Sequence, residues 1–203
     1  MDYKTETKKT YEKYAKAFEQ KFSEFFELRV KEEADLFLKH LKGKKILDLG
    51  AGPGTHAKYF QDKGYDVLCI DLSEEMVKIC REKGLKAEVM DIENLQLPEK
   101  SFDGVWAYAS LLHVPREKIP QVIKAIAKIL KPGGILGVAV KEGKGQNFET
   151  NEKYPGTERW FTYFTDEEMK QSFADGFELV HSSKTNAKNK YVFLNYFFRR
   201  LTD

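Results

Sequence analysis

Residues 46–55 read Ile-Leu-Asp-Leu-Gly-Ala-Gly-Pro-Gly-Thr, a short apolar stretch that runs into three glycines at alternate positions. Few folds use that pattern. The apolar residues suit a strand over 45–49, and the glycines suit a tight loop that opens a helix. Such a loop sets bare backbone against a small ligand at the carboxyl end of a strand. The spacing is Gly-x-Gly-x-Gly. Thr55 stands where the third glycine of the dinucleotide pattern Gly-x-Gly-x-x-Gly would fall, which argues against NAD.

Downstream the chain alternates strands and helices with short joints. Strands are predicted over 45–49, 66–70, 87–90, 102–107 and 135–140, and helices over 55–63, 73–83 and 116–130. Ser73 suits the N-cap of the second helix, with Glu74 and Glu75 in the first turn, where carboxylates complement the helix dipole. Lys131-Pro132-Gly133-Gly134 is a stop signal for the third. A polar loop is expected over 141–159, then a helix over 165–173. Two last strands, 177–185 and 191–198, suit a hairpin through Asn186-Ala187-Lys188-Asn189. Residues 1–45 read as helical, with Tyr11, Tyr14, Phe18, Phe22, Phe25 and Phe26 at three- and four-residue steps. This order predicts an α/β fold: a doubly wound seven-stranded sheet, mainly parallel, with one antiparallel strand in the edge region. One domain is expected over 1–203, with 1–42 as a helical lid segment and 43–203 as the core.

The 41% hydrophobic content of the 203 residues suits one sizeable core. A net charge of +2 demands neither nucleic acid nor an acidic membrane. Residues 1–6 lack a signal-peptide core, and no later stretch reaches membrane-spanning length. Cys69 and Cys80 have neither metal-ligand nor redox spacing and read as buried free thiols. No metal site and a reducing cytoplasm are the expectations.

In a sheet of this kind ligands sit outside the carboxyl ends of the strands. Asp71 follows the second strand, and its two oxygens can accept both hydroxyls of a ribose. Asp91-Ile92 follows the third strand, and Tyr108 to His113 the fourth. Simpler readings stay open: Asp48 as a cap for the loop, Asp71 as a helix-entry residue, Asp91 as a solvated turn residue, Met76 as core filler.

In their order and intervals, five blocks resemble the class I S-adenosylmethionine-dependent methyltransferases of the small-molecule type. They are ILDLGAGPG at 46–54, VLCIDLSEEM at 67–76, MDIENLQLP at 90–98, SFDGVWAYASLLHV at 101–114 and LKPGGILGVAV at 130–140. The resemblance implies a Rossmann-like core and the cofactor S-adenosyl-L-methionine, released as S-adenosyl-L-homocysteine. It also implies that Gly50, Ala51, Gly52 and Gly54 bring the backbone against the cofactor's methionine portion, with Asp48 orienting its ammonium. Asp71 would hold the ribose, Leu72 and Met76 pack near the adenine, and Asp91 and the Ile92 amide bond its edge. The Ala107 carbonyl is a second acceptor for the ammonium. Tyr11 and Tyr14 resemble an N-terminal lid segment in which a tyrosine faces the sulfonium.

The acceptor side is less defined. His113, at the mouth of the fourth strand, is the base candidate, with a pKa near neutrality, against a structural role. Tyr11 is grouped with it as catalytic. His56 reads as contacting the loop or solvent. Lys141, Arg159, Trp160 and Tyr163 follow the fifth strand and would suit a flat or carboxylated small molecule, or form the underside of a covering segment. Base-amino methylation relies on Asp/Asn-Pro-Pro-aromatic after the fourth strand, whereas this chain has Ala107-Tyr108-Ala109-Ser110. No cysteine is placed for attack on a pyrimidine carbon. The expected function is methyl transfer by in-line displacement to O, N, S or C of a small-molecule acceptor, by a monomer or weak dimer without nucleic acid or membrane partners. An RNA or protein methyltransferase, or a non-catalytic binder of the cofactor, remains the alternative.

Overall fold

In the computed structural model, which describes residues 2–187 and 191–202, three helices come first. These are α1 (Tyr3–Lys13), α2 (Ala15–Phe25) and α3 (Lys31–His40), the last two joined by a π-helical turn over Phe26–Val30. Asp2 caps α1 by accepting from the Thr5 amide at 3.0 Å. The alternating part runs β1 (Lys45–Leu49), α4 (Thr55–Asp62), β2 (Asp66–Asp71), α5 (Glu74–Glu82), β3 (Lys86–Val89), β4 (Phe102–Tyr108), α6 (Ile119–Ile129) and β5 (Leu130–Lys141). The chain ends with β6 (Gln146–Thr150), β7 (Glu158–Thr162), α7 (Asp166–Ser172), β8 (Phe177–Ala187) and β9 (Tyr191–Arg200).

Seven strands form one sheet in the order β3-β2-β1-β4-β5-β9-β8. The first five pair in parallel, and β9 runs antiparallel to both β5 and β8. The antiparallel strand thus sits one place in from the edge, where the hairpin folds back. Of the expected turn, Asn186 and Ala187 continue β8, and Lys188 and Asn189 lie outside the described residues. Strand order reverses between β1 and β4, which opens a crevice at their carboxyl ends. Among the described residues no helix is long and apolar enough to cross a membrane.

Two elements differ from expectation. The first is α3, which packs on the sheet: Ala34, Phe37 and Leu38 are buried, and the Phe37 ring lies 4.8 Å from that of Trp106 on β4. Gly137 of β5 gives these rings room, since a Cβ there would meet Trp106 at 2.6 Å. Only α1 and α2 lie over the crevice. The second is 141–159, which contains an antiparallel hairpin, β6 with β7, in place of the expected loop. Phe148 stands opposite Trp160 and Glu149 opposite Arg159. Its two-residue alternation is carried by charged and aromatic residues together, so a reading by polarity hides it.

Candidate active site

A cavity of about 670 Å³ opens at the carboxyl ends of β1, β2 and β4, roofed by α1 and walled on the far side by β7. The glycine loop forms its floor. Gly50 and Ala51 donate their amides to the Ile70 carbonyl, each at 2.9 Å. The three glycines have positive φ, and each serves a different purpose. A Cβ on Gly50 would meet Ser110 Cβ at 2.5 Å. Gly52 faces the cavity, with only Phe22 near, at 3.7 Å. Gly54 does not line the cavity; a Cβ there would meet Leu85 at 2.6 Å and the Cys80 sulfur at 2.9 Å. Its glycine is required by packing against α5, a correction to the expectation that it approaches the ligand.

The cavity-facing ends of β2 and β3 are held by local bonds. Asp71 Oδ2 accepts from the Gly52 amide at 2.8 Å and Oδ1 from the Ser73 amide at 2.9 Å. Leu72 lines the cavity, and so does Met76, whose side chain also packs with Phe18 of α2. Asp91 and Ile92 line it too. Asp91 accepts from Lys4 at 2.6 Å, and Glu93 bonds Lys4 at 3.0 Å, Lys118 at 2.9 Å and the Tyr3 hydroxyl. These bonds tie the start of α1 to the segment after β3. Ala107 lies within the sheet beside Val138 and does not reach the cavity. The strand continues past it, and Ala109, with a φ of 59°, turns the chain so that Ala109 and Ser110 line the cavity instead.

Buried polar atoms without a partner gather around the loop: Asp48 Oδ2, Thr55 Oγ1 and Ser110 Oγ. Buried polar groups are ordinarily bonded, so this cluster calls for a polar ligand group. His56 is half-buried, lines the cavity beside the glycine loop and accepts from Trp106 Nε1 at 3.0 Å.

On the far wall one hydrogen-bonded chain joins three elements. His113 Nδ1 lies 2.6 Å from the Trp160 carbonyl and Nε2 lies 2.8 Å from the Tyr11 hydroxyl. A carbonyl only accepts, so Nδ1 carries the proton and Nε2 accepts from Tyr11. Arg159 donates to the same hydroxyl at 3.1 Å. Burial, reinforced by the Arg159 and Lys141 charges, pushes the His113 pKa down to about 3. It is therefore neutral, not poised near neutrality as its residue type suggests. Lys141 Nζ lies 3.5 Å from the centre of the Phe161 ring and 3.4 Å from Glu149.

Strand alternation sorts the remaining expectations. Arg159, Phe161 and the following Tyr163 face the cavity. Trp160 points away, its ring against Phe148 and its indole N–H on Thr162 at 3.2 Å, so only its carbonyl serves the site. Tyr14 also leaves the site. The chain departs from helical geometry there (φ −116°, ψ 25°), and the hydroxyl bonds the Pro155 carbonyl at 2.8 Å. Phe161, Glu149, Tyr191 and Phe193 line the cavity without having been foreseen. The alternation of β7 could have found the first; the others depend on sheet order.

Three desolvated groups give stability a pH signature. Burial pushes His56 and His113 each from 6.5 down to about 3. Burial, with the Asp71 charge, pushes Asp48 from 3.8 up to about 8, against a bond from the Ala57 amide. Between pH 3 and 6.5 the unfolded chain gains two protons that the fold refuses, so this contribution rises with pH. Between pH 3.8 and 8 the fold keeps a proton on Asp48 that the unfolded chain has lost, so this one falls. Ligand-free protein is expected to be most stable near pH 6.5 and to lose about 1.4 kcal/mol per pH unit from there up to about pH 8 through Asp48. Thermal melting at fixed ionic strength checks this. Asp48→Asn should flatten the decline; a decline of undiminished slope would assign it to other groups.

A doubly wound sheet with a glycine loop after β1 and a carboxylate after β2 is the Rossmann-like fold found in class I S-adenosylmethionine-dependent methyltransferases. A SAM-dependent methyltransferase from Methanosarcina mazei shares it with a TM-score of 0.75 at 20% identity, over 83% of this chain and 98% of that one. So does the 1,6-didemethyltoxoflavin-N1-methyltransferase of Burkholderia thailandensis, solved with 1,6-didemethyltoxoflavin and S-adenosylhomocysteine: TM-score 0.69, 24% identity, 83% of this chain and 76% of that one. A methyltransferase-domain family model matches residues 46–134. A ubiquinone biosynthesis O-methyltransferase from Xanthomonas oryzae pv. oryzae is 37% identical over 103 residues, 47% of this chain and 42% of that protein. The alignment thus spans less than half of that relative's length. The residues present fit S-adenosylmethionine: the unpartnered atoms of Asp48, Thr55 and Ser110 suit its amino-acid end, and Gly52 leaves space where a side chain would intrude.

Proposed function

We propose that the protein is an S-adenosylmethionine-dependent methyltransferase acting on a small-molecule acceptor held between α1 and β7. The observation that carries the reading is that one cavity joins the glycine loop and Asp71 on one wall to Tyr11, His113 and Arg159 on the other. Asp71 would hold the ribose, Leu72 and Met76 the adenine face, Asp91 and Ile92 its edge. Ala51, Gly52 and Ser110 would meet the amino-acid portion, with Asp48 and Thr55 behind them. When bound, the cofactor supplies a methyl group on a sulfonium, an electrophile that needs no covalent help from the protein. The chain's own residues then align the acceptor and exclude water, the largest contributions to such a rate.

Tyr11 has the central part on the acceptor side. Its proton is committed to His113 Nε2, and one lone pair takes the Arg159 N–H. The second lone pair is left to accept a hydrogen bond from the acceptor or to face positive charge. His113 acts through Tyr11 and is a positioning residue. Lys141 and Tyr163 complete the acceptor wall. A small molecule, not nucleic acid, suits a cavity under a tied-down helix, and two buried free thiols suit a reducing cytoplasm.

Calorimetric titration with S-adenosylmethionine and S-adenosylhomocysteine, followed by a metabolite-extract screen for products heavier by one methylene, tests the reading. Binding of both and a methylated product is the expected result. Failure of either to bind would sink it, and binding without any product would favour a non-catalytic module.

A further inference from the structure

Arg159 is buried, with 9% of its surface exposed, and it lines the cavity. Its guanidinium carbon lies 5.0 Å from the ring centre of Phe161, 5.2 Å from Phe18, 5.5 Å from Tyr11 and 5.7 Å from Tyr154. One of its five N–H donors reaches the Tyr11 hydroxyl. Among the described residues no carboxylate lies within ion-pair distance of it. Buried guanidinium groups are ordinarily paired, and the planar fork matches a carboxylate in a two-bond geometry.

The charge around it points the same way. Lys141 shares the Phe161 ring, and its one carboxylate partner is Glu149 at 3.4 Å. Glu142, at the rim, is paired with Lys184 at 2.7 Å. Among the described residues this part of the wall therefore presents two cations, Arg159 and Lys141, to one carboxylate, Glu149. Phe161, Tyr163, Tyr191 and Phe193 add flat apolar faces to the cavity. The acidic groups Asp48 and Asp71 lie across it, beside the glycine loop.

Building on the methyltransferase reading, we propose that Arg159 is the anion site for the acceptor, which is a planar, aromatic-sized molecule bearing a carboxylate. The cofactor also carries a carboxylate, so the same chemistry has two sources, and the experiment has an arm for each. The first arm titrates S-adenosylhomocysteine into wild type and Arg159→Met. Affinities within about threefold are expected, because the cofactor's amino-acid end belongs to the opposite wall. The second arm titrates benzoate, cinnamate and indole-3-acetate, each beside its primary amide, into protein loaded with S-adenosylhomocysteine. At least one carboxylate is expected to bind about tenfold more tightly than its amide, and Arg159→Met should erase the difference.

Absence of any carboxylate preference in loaded wild type would overturn the proposal. So would a preference that survives Arg159→Met, or a loss of S-adenosylhomocysteine binding in a variant that still melts cooperatively. Should Arg159→Met not fold, Arg159→Lys decides: it keeps the charge and loses the fork, and should lower the carboxylate preference while sparing S-adenosylhomocysteine. An unchanged preference there overturns the proposal. Wild type that binds no S-adenosylhomocysteine would instead reject the methyltransferase reading itself.

Discussion

Asp71→Ala is expected to weaken S-adenosylhomocysteine binding by about 10²–10³-fold, the largest effect of any change on the cofactor wall. Two separate losses add. The carboxylate would no longer meet the ribose hydroxyls, and it would no longer organise the loop that meets the rest of the ligand. Its Oδ2 takes the Gly52 amide at 2.8 Å and its Oδ1 the Ser73 amide at 2.9 Å. Bonds to a charged acceptor are worth about 1.5–3 kcal/mol each, and alanine leaves both amides unpaired. Asp71→Asn keeps one acceptor oxygen and should fall between wild type and alanine. Ser73→Ala is the control: it removes the α5 cap, a 3.3 Å bond to the Met76 amide, and should cost about 1 kcal/mol of stability. That loss should come with little loss of binding. Calorimetry beside thermal melting separates the two, and an Asp71→Ala protein with wild-type affinity would remove Asp71 from the ribose site.

The wall proposed for the cofactor is legible in sequence because each of its parts is local. Gly50, Gly52 and Asp71 stand next to the strand ends that place them, so reading the strands was enough to gather them. The errors there were of detail. Gly54 and Gly52 look equivalent in a string, and only the position of α5 shows that Gly54 meets Cys80 while Gly52 meets open space. The acceptor wall was hidden for a different reason. A strand turns successive side chains to opposite faces, so Trp160 and Phe161 trade places with a shift of one residue. Without the pairing of β7, the sequence alone does not tell which of the two faces the cavity. Tyr191 and Phe193 enter the cavity only because β9 inserts beside β5. The pKa of His113 depends on burial among Phe161, Tyr11 and Arg159, contacts that span up to 102 positions in the chain. No local pattern reports that.

Tyr11→Phe should lower turnover by about 10²-fold once an acceptor is in hand, with S-adenosylhomocysteine affinity close to wild type. The phenylalanine ring keeps the contact with Phe18, 4.7 Å between centres, and removes only the oxygen. His113→Ala should lower turnover less, because the oxygen remains and only its orientation is lost. Combined with Tyr11→Phe, it should cost almost nothing further, since its effect passes through a group already absent. A merely structural histidine would instead show additive losses in kcat. The pH profile adds an independent check. With its pKa at about 3, His113 takes up no proton across the usual assay range, so kcat should show no acidic limb near the ordinary imidazole value of 6.5. An acidic limb there that vanishes in His113→Ala would restore the histidine as a proton acceptor. Its absence, with non-additive losses, leaves Tyr11 as the group that meets the reacting atoms, its oxygen held between a neutral imidazole and a guanidinium.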